Sequence, residues 1–124
     1  MKRKSSDTME EARELAESGH LNGAANRVYY ALFQAVVGCF EESGRSPGSF
    51  KAGAKRWGHD IITGNLMLVG LERGEVETVR TARGLREKAD YEPGQVSQEQ
   101  FSRVLRRVPD ILKKLGVSMV GGTR

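Results

Sequence analysis

Residues 21–43 read LNGAANRVYYALFQAVVGCFEES, and the spacing within them decides the fold. Leu21, Ala25, Val28, Leu32, Ala35 and Cys39 recur alternately four and three apart, which keeps them on one face of a helix. Phe33, Val36, Val37 and Phe40 widen the apolar surface. A helix this apolar must be packed on more than one side, as the central helix of a bundle is. Gly44 closes it, and Ser46-Pro47-Gly48 forms a loop.

Moving outward, Thr8 and Glu11 have the spacing of a capping box, which predicts a first helix over about Thr8–Ser18 ended by Gly19. Residues 1–7 then form a flexible tail. Phe50, Ala54, Trp57 and Ile61 share a face and predict a third, weaker helix over about Ser49–Ile62, although Gly53 and Gly58 each cost it about 1 kcal/mol. Thr63–Gly74 reads either as a turn of helix or as a packed loop. The fourth pattern covers about Glu75–Tyr91 and is stopped by Pro93-Gly94. The fifth opens at Ser97, where Gln100 completes a capping-box spacing, and carries the stripe Phe101, Val104, Leu105, Val108, Leu112 and Leu115. Pro109 predicts a kink or break near Val108, because it removes a backbone bond at a cost of about 3 kcal/mol. Residues 116–124 read as a frayed tail.

No segment alternates with period two. The expected fold is therefore all-α, an up-down bundle of four to five helices forming one domain over residues 1–124. Hydrophobic residues make up 38% and aromatics 6%, which suits packed Ala, Leu and Val better than a β-sandwich. Twenty Lys and Arg face sixteen Asp and Glu, a surplus of +4 that permits nucleic-acid contact without demanding it. The single cysteine, Cys39, allows no intrachain disulfide and reads as a buried thiol. No run reaches the roughly 18 apolar residues of a membrane span, and the N-terminus lacks a signal-peptide core, so the cytoplasm is the expected compartment.

The fourth helix breaks its own pattern. At about 100° per residue, Val76, Val79, Ala82, Leu85 and Ala89 mark an apolar arc, and Arg83, Arg86 and Asp90 fall inside it. Burying an unpaired charge costs several kcal/mol. These charges either pair with one another and with the second helix, fixing helix register, or line a cleft that admits water and a ligand. Arg86 and Asp90 are four apart and can pair along the helix. Asn26, Arg27, Tyr29 and Tyr30 are the polar partners the second helix offers.

Two stretches carry a family resemblance. Ala25–Ala35, ANRVYYALFQA, resembles the second-helix signature of HEPN proteins of the small UPF0332-like group, and Leu85–Tyr91, LREKADY, resembles that group's R-x-x-A-D-Y element. Helix order fits from about Glu10 to Leu115. The resemblance implies a helical bundle that is often a homodimer. It also implies a minimal nucleotidyltransferase as partner in a toxin–antitoxin-like pair, with RNA or a nucleotide as ligand. Ribonuclease members place a histidine four to six residues after the arginine, and here that place is held by Tyr91. A neutral phenol with a pKa near 10 is a poor base at neutral pH, but it still donates a hydrogen bond or stacks on a nucleobase.

Arg86, Asp90 and Tyr91 are thus the candidates for catalytic work, with Arg83, Asn26, Arg27 and Tyr30 as candidate binding residues. Three functions stay open: a nucleotide- or RNA-binding partner subunit, a ribonuclease toxin, and a non-catalytic dimerisation module. The tyrosine favours binding over cleavage. His20, at a helix junction, reads as a cap, and His59 as a surface or packing residue. No metal site or cofactor is implied, because two histidines stand without clustered acids.

Overall fold

The computed structural model describes residues 1–91, 94 and 96–118. They form five α-helices: α1 (Lys2–Glu17), α2 (Leu21–Glu42), α3 (His59–Gly64), α4 (Arg73–Tyr91) and α5 (Gln98–Lys114). Short 3-10 turns lie at Pro47–Ser49 and Leu66–Val69, and no strand occurs among the described residues. Pro93 and residues 119–124 lie outside the described residues, so the stop assigned to Pro93 and most of the expected C-terminal tail fall there.

α2 is the central helix, packed on α1, α4 and α5. Val28, Tyr29, Leu32, Ala35, Val36 and Phe40 are all fully or almost fully buried. Neighbours run antiparallel. Lys2 at the start of α1 pairs with Glu42 at the end of α2, and Lys114 at the end of α5 reaches Glu75 at the start of α4, at 2.7 Å. Asn22 at the start of α2 pins the α4–α5 connection: its Nδ2 donates to the Gly94 carbonyl at 3.1 Å, and its Oδ1 accepts from the Val96 amide at 2.7 Å.

α1 and α2 end as their glycines require. Gly19 and Gly44 adopt positive φ of 79° each, a conformation that side chains other than glycine's rarely allow. The Arg45 amide then reaches back to the Phe40 carbonyl and the Gly44 amide to that of Glu41, closing the orphan carbonyls of α2.

Four features differ from the sequence reading. α1 begins at Lys2 rather than Thr8, so residues 2–7 are helical, not tail, and Thr8 is buried in mid-helix instead of capping it. The cause is tertiary: Ser5 and Ser6 are buried, and the Ser5 hydroxyl donates to the Ala31 carbonyl of α2 at 2.6 Å. His20 stands at the N-cap of α2, but its side chain makes no capping bond. The helix expected over Ser49–Ile62 is absent, and only His59–Gly64 is helical. Gly53 turns at φ 81°, while Phe50 and Trp57 still reach Phe40 with ring centroids 4.8 and 5.5 Å away. α5 runs through Pro109 without a break. Val104 and Val108 before the proline and Ile111 and Leu112 after it are buried on one core, which holds the helix across the missing bond.

Elsewhere the elements match their signals. The Ser97 hydroxyl accepts from the Gln100 amide at 3.4 Å at the head of α5. Cys39 is partly buried, its Sγ donating to the Leu115 carbonyl at 3.2 Å, and burial raises the thiol's pKa. In the segment the sequence leaves ambiguous, Leu66 is buried while Met67 and Leu68 are exposed.

Candidate functional site

The apolar arc of α4 faces α2 and the head of α3, and the charges inside that arc meet partners there. Arg86 donates from Nη2 to the Tyr30 hydroxyl at 3.2 Å, and its guanidinium carbon lies 5.5 Å from the centre of the Tyr30 ring. Its Nε is 3.0 Å from Asp90 Oδ2, one helical turn on. That N–H is not aligned on the carboxylate, and this buried donor has no hydrogen bond among the described residues. The pair is therefore held by charge more than by hydrogen-bond geometry. The Arg86 side chain is 16% exposed and that of Asp90 31%, so the pair is only partly desolvated.

Arg83 lies one turn earlier on the same face. Its Nη1 donates to Thr63 Oγ1 at 2.8 Å, its Nη2 meets Asp60 Oδ1 at 3.0 Å, and its Nε donates to Glu87 at 3.1 Å. Asp60 and Thr63 come from α3. The short helix thus ties itself to α4 through one guanidinium.

α3 also delivers His59. Its Nδ1 is 2.7 Å from the hydroxyl of Tyr29, a fully buried residue of α2. The imidazole packs among the rings of Tyr29, Phe33 and Tyr30, at centroid distances of 5.5, 5.3 and 6.0 Å. Burial lowers the His59 pKa from its ordinary value, and the nearby charges of Arg86 and Arg83 lower it further. Burial foremost pushes the Tyr29 phenol up to about 12. Both side chains therefore favour their neutral forms at pH 7.

The residues singled out from sequence do not all converge. Arg83, Arg86, Asp90 and Tyr30 belong to one cluster. Arg27 places its guanidinium 5.5 Å from the Tyr30 ring centre, but its hydrogen bonds go to its neighbour Asn26, at 3.0 and 2.7 Å. Tyr91 stands apart: it is 76% exposed, and its side chain makes no hydrogen bond or ring contact with the described residues. Sequence reading missed His59, Asp60, Thr63 and Glu87 as members. His59 sits 27 positions before Arg86, and no spacing rule connects them.

The cluster balances donors against a rim of carboxylates. Asp60 is 95% exposed and Glu87 about half exposed, so their hold on Arg83 is worth at most about 1 kcal/mol. An anionic ligand can displace such partners. Among the described residues no three His, Cys, Asp or Glu side chains converge as a metal site would need. A separate groove of about 340 Å³ lies between α4 and α5, lined by Glu77, Gln100, Arg106 and Arg107 among others. Glu77 is nine positions before Arg86 and points about 180° away from it around α4, so the groove is not part of the cluster.

A family model described as HEPN domain matches residues 1–117. No curated protein and no solved structure gives a match.

Proposed function

The chain belongs to the HEPN family, and on that footing we propose that it binds the phosphate of RNA or of a nucleotide through Arg86 and Arg83. In this reading it is a cytoplasmic protein of the UPF0332-like branch, associating with a second copy of itself. It is the partner subunit of a minimal nucleotidyltransferase in a toxin–antitoxin-like pair. The observation that carries the binding reading is the buried Nε–H of Arg86, a charged donor with no hydrogen bond. A guanidinium serving only as a structural lock would direct that donor at Asp90. Here it lies 3.0 Å from Asp90 without an aligned hydrogen bond, beside Arg83, whose carboxylate partners are exposed and replaceable.

The test is titration of wild type and Arg86→Ala with a short unstructured oligoribonucleotide and, separately, with 5′-AMP. A lost charge-assisted hydrogen bond of at least about 1 kcal/mol weakens affinity about fivefold or more. Unchanged affinity in a variant whose melting curve shows it folded overturns the reading.

One observation favours a second reading, in which the charges only fix helix register. Arg86 and Asp90 are already within ion-pair distance. A variant that loses stability while keeping wild-type affinity for both ligands would support it. Tyr91 stands where a nuclease would carry histidine, so the binding reading expects mixed RNA to stay intact in the presence of the protein. Cleavage that Arg86→Ala abolishes would establish the ribonuclease alternative instead.

A further inference from the structure

The hydroxyl of Tyr29 and Nδ1 of His59 are 2.7 Å apart, and one of them must donate. Tyr29 is fully buried, and its hydroxyl has no other partner among the described residues. If Nδ1 carried the hydrogen, the Tyr29 proton would be buried without an acceptor, the more costly arrangement. With Tyr29 as the donor, every polar atom of the pair is used except one. Nδ1 accepts, and a neutral imidazole then carries its hydrogen on Nε2. That Nε2–H is the opposite edge of the ring and has no partner among the described residues.

The surroundings favour the neutral ring. Arg83 and Arg86 from α4 face it, as do Tyr29 and Tyr30 from α2, while Asp60 from its own helix and Glu87 from α4 are the nearest acids. Burial and the two cations outweigh the two acids. Donor groups thus gather on one side of the bundle: the guanidinium groups of Arg86 and Arg83 and the imidazole Nε2–H. Such a set matches a ligand atom group that only accepts, and phosphate oxygens do so.

We infer that His59 is a ligand-contacting residue of this site, a neutral Nε2–H donor to a phosphate oxygen, with Tyr29 as the positioning residue that fixes its tautomer. The inference rests on the phosphate-binding reading above and adds to it a residue supplied by a different helix. It gives the site a donor that works without adding charge.

The experiment has two parts. Nitrogen-15 NMR of the imidazole at pH 7.5 reports the tautomer: the expected state is Nε2-protonated, shifting toward a mixture in Tyr29→Phe. Titration with the oligoribonucleotide and with 5′-AMP then compares His59→Phe, which keeps a ring but loses the donor, with His59→Gln, whose amide replaces it. Expected are a loss of at least fivefold for His59→Phe and recovery of most of it for His59→Gln. The ligand that shows this dependence more strongly identifies the phosphate's source. A dominant Nδ1-protonated ring overturns the inference even if a variant fails to fold. So does wild-type affinity in His59→Phe when Arg86→Ala is weakened. Wild-type affinity in Arg86→Ala as well is the distinct failure of the phosphate reading itself.

Discussion

The Tyr29 hydroxyl sits 2.7 Å from Nδ1 of His59, joining residues thirty positions apart on α2 and α3. That contact brings an imidazole into the cluster built on Arg86 and Arg83, and it makes the cluster's behaviour depend on pH and on the rim charges.

The His59 pKa lies below its ordinary 6.5 in the folded chain, through burial first and the two arginines next. Between the folded value and 6.5 the unfolded chain therefore binds more protons, and stability rises with pH across that window. The contribution is fully present above 6.5 and is lost as pH falls toward the folded value. Thermal melts from pH 5 to pH 8 are expected to show this loss, and His59→Gln should flatten it. An identical slope in the variant would assign the loss to other groups.

Arg86 and Asp90 form a partly desolvated pair. Arg86→Ala leaves the Asp90 carboxylate without its partner and should cost about 1–3 kcal/mol in urea denaturation. Asp90→Ala leaves a guanidinium that still holds Tyr30. The double variant should be less destabilised than the sum of the two, by about 0.5 kcal/mol or more. Simple additivity would mean that the two charges do not depend on one another.

The rim carboxylates compete with any anion for Arg83. Asp60→Asn should change stability by less than about 1 kcal/mol, because Asp60 is almost wholly exposed. It should also tighten phosphate binding. Weaker binding in this variant would show that Asp60 orients Arg83 rather than occupying it.

Phe40 is fully buried and carries the irregular segment after α2 through its ring contacts with Phe50 and Trp57. Phe40→Ala should cost about 3–5 kcal/mol. Trp57 is the chain's single tryptophan, so its emission should shift to the red as the segment loosens. A wild-type emission maximum in the folded variant would mean that the segment is held elsewhere.

Much of the fold is legible in local spacing. The repeat from Leu21 to Cys39 identifies α2 and its central place, and the start of α5 is written in Ser97 and Gln100. The misfit of Arg83, Arg86 and Asp90 with the apolar arc of α4 is equally visible. Where local signals mislead, packing overrides them. Thr8 has the form of a cap, but Ser5, bonded to the Ala31 carbonyl of α2, and buried Ser6 carry the helix back to Lys2. Phe50, Ala54, Trp57 and Ile61 have helical spacing, yet glycines interrupt the segment, and Phe50 and Trp57 reach Phe40 without a helix.

The sequence by itself determined the all-α class, the central helix, the family signature and the spacing that lets Arg86 pair with Asp90, because each depends on residues within a turn or two of one helix. Only the tertiary structure decided the membership of the site. It placed His59 with Arg86 and Arg83, which follow it by 27 and 24 positions in the chain. It also turned Tyr91, the residue in the motif's histidine position, out to solvent. Which side chains share a site depends on how α2, α3 and α4 cross. That crossing is fixed by the burial of many residues far apart in the chain, not by any short pattern.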